Sequence, residues 1–450
     1  MADAGTAEVP AGRIAEPEHK TARSWRSTVE STEVDTRLVG MVLSLAVIWI
    51  AFHILSDGGF LTARNLWNLS VQSSSIAIMA TGMVLIIVSR NIDLSVGSLL
   101  GFLGYTMAMV QTEWIPNTFD LGLERPYTWI VAVLVGVLLG AVVGGLQGFV
   151  VAYGGVPAFI VTLGGFLVWR GLIFRLGEQG RTLAPLDEDF QLIGGGPRGS
   201  LGEGRSWVLA LVACAGIVFV IYAARRRRLR YDLSTRPMSV DVGLGVLGCV
   251  AVIAAIGLIA NGYTSPISGN PTGVAYPVVI LIVVTLLMSY LAKRRRFGRY
   301  VYAYGGNPEA AELGGINTRR TIMLTFVLMG VLCALSAAVQ TARLNAAVTN
   351  LGVQNELDVI AAAVIGGTSF SGGIGTIPGA VLGAVVMQSL RSGMVLLRID
   401  SPSQDIVVGV VLVTAVAVDS ALRLGRRTGA IAAVATGITV AAIVIQTGRP

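Results

Sequence analysis

The sequence predicts an all-α protein, a polytopic transmembrane helical bundle of roughly 12–13 spans. Three observations predict it. The 450-residue chain is 54% hydrophobic and 13% charged, about half the roughly 25% charge of a soluble domain, too little to cover a water-facing surface of this size. Apolar runs of the ~20 residues that a bilayer-crossing helix needs recur along its length. Glycine, at 56 residues, is as abundant as expected where membrane helices pack through small residues.

Taken in order, residues 1–36 are polar and mixed in charge, without the apolar core and cleavage site of a secretory signal, and are expected to form a disordered cytoplasmic tail. Apolar runs then place spans near 38–56, 71–89, 94–111, 128–153, 157–175, 207–223, 239–260, 276–292 and 321–341. A glycine-interrupted region follows at 358–393, then runs at 405–421 and 429–446, the last an additional C-terminal span occupying 429–450.

Short loops rich in Lys and Arg mark the cytoplasmic side. Arg13, Lys20, Arg23, Arg26 and Arg37 put the N-terminus inside. Alternation then places the basic loops RRRRLRYDLSTR (225–236) and KRRRFGRY (293–300) inside, and the acid-bearing loops 112–127 and 176–206 outside. If 358–393 crossed once, Arg423, Arg426 and Arg427 would land outside. A broken or re-entrant helix pair pivoting near SFSGGIGTIPG (369–379) keeps them inside. Irregular backbone at membrane depth is tolerated where it is buried in protein or lines a cavity. That makes Gly366, Gly367, Thr368, Ser369, Gly372, Gly373 and Gly375 candidates for the pathway wall.

Several function classes are excluded. Cys214, Cys249 and Cys333 sit singly in apolar runs, and His19 and His53 are far apart, so no disulfide framework, metal spacing or catalytic cluster is present. GGGPRG (194–199) fits a dinucleotide pattern but carries proline and follows no strand. No GxxxxGK[ST] occurs, because neither Lys20 nor Lys293 follows glycine. The chain is not an enzyme by these signs and needs no cofactor of its own. The arginine runs are topology signals at the lipid bilayer, with no nucleic-acid surface implied.

In RFGRYVYAYGGNPEAAELGGINTRR (296–320), Asn307 is a good N-cap, Pro308 suits the first helical position, and Gly314 and Gly315 supply the stop. The spacing predicts a helix of about two turns, Asn307, Pro308, Glu309, Ala310, Ala311, Glu312 and Leu313. It is either a plain connector or a helix that docks on a cytoplasmic partner.

This loop resembles the coupling-helix loop of sugar-type ABC importer permeases, the ribose and xylose permease family. Arg296, Gly298, Arg299, Tyr300, Tyr302, Ala303, Gly305, Gly306, Asn307, Ala310, Ala311, Gly315 and Ile316 match its pattern. ELDVIAAAVIGGTSFSGGIGT (356–376), VPAFIVTLGGFLVWRGL (156–172) and IDLSVGS (92–98) resemble its other recognisable segments, in the right order. The resemblance implies a permease domain over 37–428 in a bacterial-type cell (inner) membrane, usually paired with a second copy as a homodimer. It implies docking on a cytoplasmic ABC ATPase that uses ATP and Mg, and delivery by an extracytoplasmic sugar-binding protein. The extra span pair at about 207–260 resembles the xylose branch, which makes a pentose such as D-xylose the expected cargo. An ion-coupled secondary transporter is the alternative. It needs acids within spans, and the acids read as lying at span ends.

Asp93 and Ser95 are candidates for a helix cap or a gate, Asp93 being expected to accept backbone N–H bonds at the cytoplasmic start of a span. The family usually has two glycines where this chain has Arg90 and Asn91; Asn91 is the residue expected to tolerate a left-handed turn, and Arg90 sits where the positive-inside pattern wants a cation. Gly136, Gly140, Gly144 and Gly148 recur every fourth residue, as do Gly375, Gly379 and Gly383. Each series forms a smooth ridge, either for static packing or for a sliding contact. Arg170 and Arg175 are expected to snorkel outward or to line the pathway. Glu356 and Asp358 are expected to cap the broken hairpin or to meet the docking protein.

Overall fold

The computed structural model describes residues 36–423, apart from 120–126, 179, 197, 232, 234–236 and 266–268. The expected tail (1–35) and C-terminal span (429–446) lie outside the described residues.

The described residues form sixteen α-helices. They are α1 (Thr36–Leu55), α2 (Ala63–Val88), α3 (Val96–Met109), α4 (Ile115–Phe119), α5 (Thr128–Ala152), α6 (Ala158–Leu176), α7 (Glu188–Ile193), α8 (Gly202–Arg230), α9 (Met238–Ile256), α10 (Tyr276–Arg294), α11 (Arg296–Gly306), α12 (Pro308–Leu313), α13 (Thr318–Leu344), α14 (Asn355–Ile365), α15 (Ile377–Leu396) and α16 (Ser401–Arg423). Eight helices are long and apolar enough to cross a bilayer, and α1 and α16 carry shorter apolar stretches. The molecule is an all-α polytopic membrane protein, as its sequence predicts.

The bundle is built around α2, whose apolar window is 94% buried, whereas α8 and α9 bury 6% and 11% of theirs. A helix that is apolar all round is stable only when neighbours or lipid cover every side. Here α13, α14 and α15 cover α2, and Ser75 and Ser336 join α2 to α13 across a buried hydroxyl pair 2.7 Å apart. The extra pair α8–α9 stands at the periphery, fastened by Arg225–Asp241 (2.7 Å) and presenting exposed Leu211, Phe219, Leu247 and Val250. Cys214 and Cys249 are not isolated: each thiol faces the other residue's carbonyl, at 3.9 and 4.0 Å.

The basic end of the bundle carries Arg225–Arg230 of α8 and Lys293–Arg299 of α10 and α11. At the far end, the loops around Gly199, Gly262 and Gly273 close over the start of α2, where Trp67 donates to the Gly273 carbonyl (3.0 Å).

Two elements depart from simple crossing. The segment 94–111 begins buried in protein. Residues 89–95 run back into the protein before α3 starts, with the Ile92 carbonyl accepting from Thr162 Oγ1 (3.3 Å), one turn inside α6. The glycine-interrupted region is a hairpin as expected, α14 and α15 joined by 366–376, but α14 also begins inside the bundle. At ~1.5 Å per residue, the 11 residues of α14 reach only part of the ~30 Å hydrocarbon, whereas α3 runs on without a break through a π-helical turn (Val110–Trp114) into α4. The N-termini of α3 and α14 meet: a Cβ at Gly97 would overlap Glu356 Oε2 and the Gly352 carbonyl.

Candidate functional site at the docking helix and the broken helices

The short helix forms where its caps dictate. Asn307 Oδ1 accepts from Ala310 N (3.0 Å), Pro308 occupies the first turn and Gly314 closes the end. Gly315 has φ +76°, a left-handed conformation that glycine adopts at no steric cost. Ala311 is buried against the bundle. Glu309, Ala310, Glu312 and Leu313 are exposed, Leu313 at 90%. Ahead of it, RFGRYVYAYGG is helical as α11, where the glycine-studded sequence reads as loop. Its Val301 and Gly305 face inward while Arg296, Arg299 and Tyr300 face out, so a single amphipathic face holds it down.

The end of α11, immediately before the docking helix, meets α2 and the re-entrant loop at one junction. Arg90 Nε donates to the Gly305 carbonyl (2.8 Å) and Arg90 Nη2 to the Gly306 carbonyl (2.9 Å). These are carbonyls at a helix C-terminus, where a cation is favoured. Gly373 N donates to the Val88 carbonyl (3.0 Å), and Tyr302 hydroxyl donates to the Gly375 carbonyl (2.7 Å). Burial pushes the Tyr302 hydroxyl up to about 12, so it stays a donor at neutral pH. Gly305, Gly372 and Gly373 allow the backbones to touch: a Cβ on Gly305 would overlap the Val88 carbonyl, and one on Gly373 would lie 3.0 Å from Gly306 Cα.

The sequence reading of this turn needs correction. Arg90, not Asn91, takes the left-handed backbone, with φ 60°, while Asn91 Nδ2 donates back to the Ser89 carbonyl (2.8 Å). Arg90→Gly is therefore expected to recover the ~1–2 kcal/mol of left-handed strain while losing two hydrogen bonds from a charged donor, each worth ~1.5 kcal/mol at the low end because the site is exposed. Global stability should fall by about 1–2 kcal/mol, and amide exchange at 305–307 should quicken. Unchanged exchange there would mean that Arg90 holds nothing.

Asp93 is 1% exposed and lies inside the protein. Its Oδ1 accepts from Ser95 N (2.9 Å) and Ser95 Oγ (2.6 Å). The capping bonds thus go to Ser95, the N-cap of α3, and no side chain caps the first helical turn. Ser95 Oγ also meets Gln147 of α5 (3.1 Å), which ties the start of α3 to a neighbouring span.

Glu356 and Asp358 are buried at 8% and 5% exposure, so neither meets a docking protein. Asp358 Oδ1 accepts from Arg391 Nη2 (2.9 Å), and Oδ2 lies 2.8 Å from Arg391 Nε as an ion pair without a hydrogen bond there. Glu356 Oε2 has no hydrogen-bond partner among the described residues. Acids therefore do lie within the bundle, contrary to the reading that kept them at span ends. Arg170 turns inward rather than outward, donating to the Leu351 carbonyl (3.2 Å), while Arg175 is exposed.

Of the loop residues singled out from sequence, Thr368 and Ser369 are buried at 2% and 1%. Gly367 (φ +87°), Gly372 (φ +84°) and Gly373 (φ +73°) take left-handed backbone, and Gly366 packs on Gly379. The structure thus brings the docking helix, Gly372, Gly373 and Gly375 to one junction. Asp93 and Ser95 lie deeper, at the start of α3. Arg90 as a tether was missed: its charge looked like a topology signal, and nothing in the sequence pairs it with Gly305.

A bundle of membrane-crossing helices with a span that starts buried, a broken hairpin and a capped connector between spans fits a polytopic permease. The family model described as branched-chain amino acid transport system / permease component matches residues 65–416, and the chain belongs to this family. It is 38% identical over 387 residues to the xylose transport system permease protein XylH of Haemophilus influenzae, covering 86% of this chain and 97% of that protein. It is 38% identical to XylH of Escherichia coli K12 (85% and 91% covered) and 32% identical to the ribose import permease protein RbsC of the same strain (84% and 92% covered). No solved structure matches.

Proposed function

We propose that the chain is the membrane permease of an ATP-binding-cassette importer that moves a pentose, D-xylose first, into the cytoplasm. The observation that carries the reading is the junction itself: a capped, solvent-exposed helix whose preceding helix is bonded directly to the end of α2 and to the re-entrant loop. A partner that moves α12 has a short, hydrogen-bonded route into the spans, and rigid-body transmission of this kind needs contacts with discrete arrangements.

The basic end is the cytoplasmic one, since Arg225–Arg230 and Lys293–Arg299 gather there, and the N-terminus begins on that side. A partner ATPase supplies ATP and Mg chemistry, an extracytoplasmic binding protein delivers the sugar, and a second copy of this chain completes the permease. The pentose assignment is supported by the names of the relatives and by the extra pair α8–α9, which resembles the xylose branch.

The test is uptake of labelled D-xylose, D-ribose and D-galactose in cells with and without the chain, each with and without a protonophore while ATP is supplied. Xylose uptake that needs the chain and survives the protonophore is expected, together with co-purification of a Walker-A ATPase in mild detergent. Chain-dependent uptake abolished by the protonophore would move the case to an ion-coupled transporter, for which the buried Asp93 and Glu356 would then be the carboxylates to examine.

A further inference from the structure

We propose that a cavity of about 180 Å3 among α2, α13, α14 and α15 binds a neutral, monosaccharide-sized polyol through amide pairs in its wall. This deepens the import reading and rests on it for the identity of the sugar. The cavity has room for about six waters at ~30 Å3 each. Its polar wall comprises Gln72, Gln340, Asn355, Asp358, Gln388 and Arg391.

The wall is chemically ordered. Gln388 Nε2 donates to Gln72 Oε1 (2.8 Å), and Asn355 Nδ2 donates to Gln340 Oε1 (3.0 Å). An amide carries an acceptor oxygen and a two-donor nitrogen. Whichever way each pair is turned, one carbonyl oxygen and one amide nitrogen are left without that partner. A sugar hydroxyl is at once donor and acceptor, so it matches such a pair, whereas a cation or an anion matches only half of it. Among the charges beside the amides, Arg391 is paired with Asp358 and reaches Asp405 at 3.7 Å. Gln354 Nε2 holds Asp405 from the other side (3.0 Å). An ion pair held by a charge-assisted hydrogen bond presents polar edges without unbalanced charge. Arg343 and Val353, both exposed, stand at the rim.

The position suits a station on a pathway. Asn355 and Asp358 lie in the first turn of the half-helix α14, whose other end runs into the 366–376 loop at the docking junction. A ligand in the cavity thus touches the element that the cytoplasmic machinery moves.

The experiment is hydrogen exchange on the full chain in nanodiscs with D-xylose, xylitol or D-xylonate at millimolar concentration, and sucrose as an osmotic control. At about ten times its Kd, a ligand that binds only the closed site slows exchange through local opening about tenfold. The expected result is slowing of that order at 353–358 and 385–393 with xylose and xylitol only. Gln72→Leu and Gln388→Leu should each remove it, and either variant alone suffices if the other fails to fold. No protection, protection that survives both variants, or protection by xylonate alone overturns the proposal, the last result pointing to an acid held by Arg343. Xylose uptake in cells without cavity protection sinks this proposal and spares the import reading. Cavity protection by polyols, without chain-dependent uptake of any sugar, does the reverse.

Discussion

Gly140→Leu is expected to abolish recovery of a folded, monodisperse protein from the membrane. Gly140 of α5 and Gly330 of α13 face each other at the closest point of the tightest helix pair in the bundle. A Cβ on Gly140 would overlap the Gly330 carbonyl oxygen, and one on Gly330 would overlap the Gly140 carbonyl oxygen. The contact continues toward the C-terminal end of α5, Gly144 against the Phe326 carbonyl and Gly148 against that of Met323 (2.8 Å). Overpacking against side chains costs ~1–3 kcal/mol because rotamers can give way. Here the obstacle is backbone, so relief requires moving a whole helix off its partner and forfeiting the contacts along the seam. Gly145→Ala is the control on the same helix, because its Cβ would meet only Val327 Cγ2 at 3.5 Å. Gly164 of α6 has nothing within 4 Å, and Gly164→Ala should be neutral or stabilising by up to ~1 kcal/mol. Size-exclusion profiles and thermal midpoints of the three variants in one detergent check the set. Recovery of Gly140→Leu at the level of Gly145→Ala would show that the seam opens freely, and would favour the sliding reading of the glycine ridge over static packing.

That seam was legible in the sequence, since glycines at intervals of four make one ridge on a helix, although the first of them, Gly136, meets Met107 of α3 rather than α13. So were the docking helix, because its stop and start signals are local, and the hairpin, because charge on its flank left no single crossing. The inward start of α3 was not legible. Asp93 and Ser95 carry the same residue types whether a helix begins at a surface or inside a bundle, and only Thr162 and Gln147, 70 and 52 positions away, show the depth. The same holds for Glu356 and Asp358, whose burial depends on Gly97 and Arg391 from other elements. Arg90 was misread for a related reason. Its charge satisfies the positive-inside pattern and its hydrogen-bonding role at once, and the partner carbonyl is 215 positions away. The cavity is the extreme case, with Gln72 and Gln388 separated by 316 positions. Spacing along one helix reveals a face; it cannot reveal which four helices share a space.

Replacing Glu309–Glu312 with a Gly-Ser-Gly-Ser stretch is expected to reduce sugar uptake to background while leaving the amount of chain in the membrane unchanged. The helix has six residues, far below the ~12–15 at which an isolated helix is even marginal, so its caps and the buried Ala311 sustain it. Two glycines and two serines in its middle add ~2–3 kcal/mol against helix formation, more than a single cap of ~1 kcal/mol restores. The bundle should be indifferent, because three of the four replaced side chains are exposed and Ala311 is the one that packs inward. What is lost is stiffness between the surface a partner would grip and the Gly305–Gly306 carbonyls that Arg90 holds. A melted segment there absorbs displacement instead of passing it to the end of α2 and to the 372–375 loop. ATP hydrolysis by the co-purified partner should then continue or fall modestly, with its sugar dependence gone. Two measurements on one preparation separate the possibilities: hydrolysis with and without sugar and binding protein, and exchange protection at the outer cavity. Normal uptake by the replaced chain would remove α12 from the mechanism. Loss of uptake together with loss of cavity protection would mean that the segment supports the fold and does not transmit motion. Retained cavity protection with hydrolysis indifferent to sugar is the outcome that a transmitting helix requires.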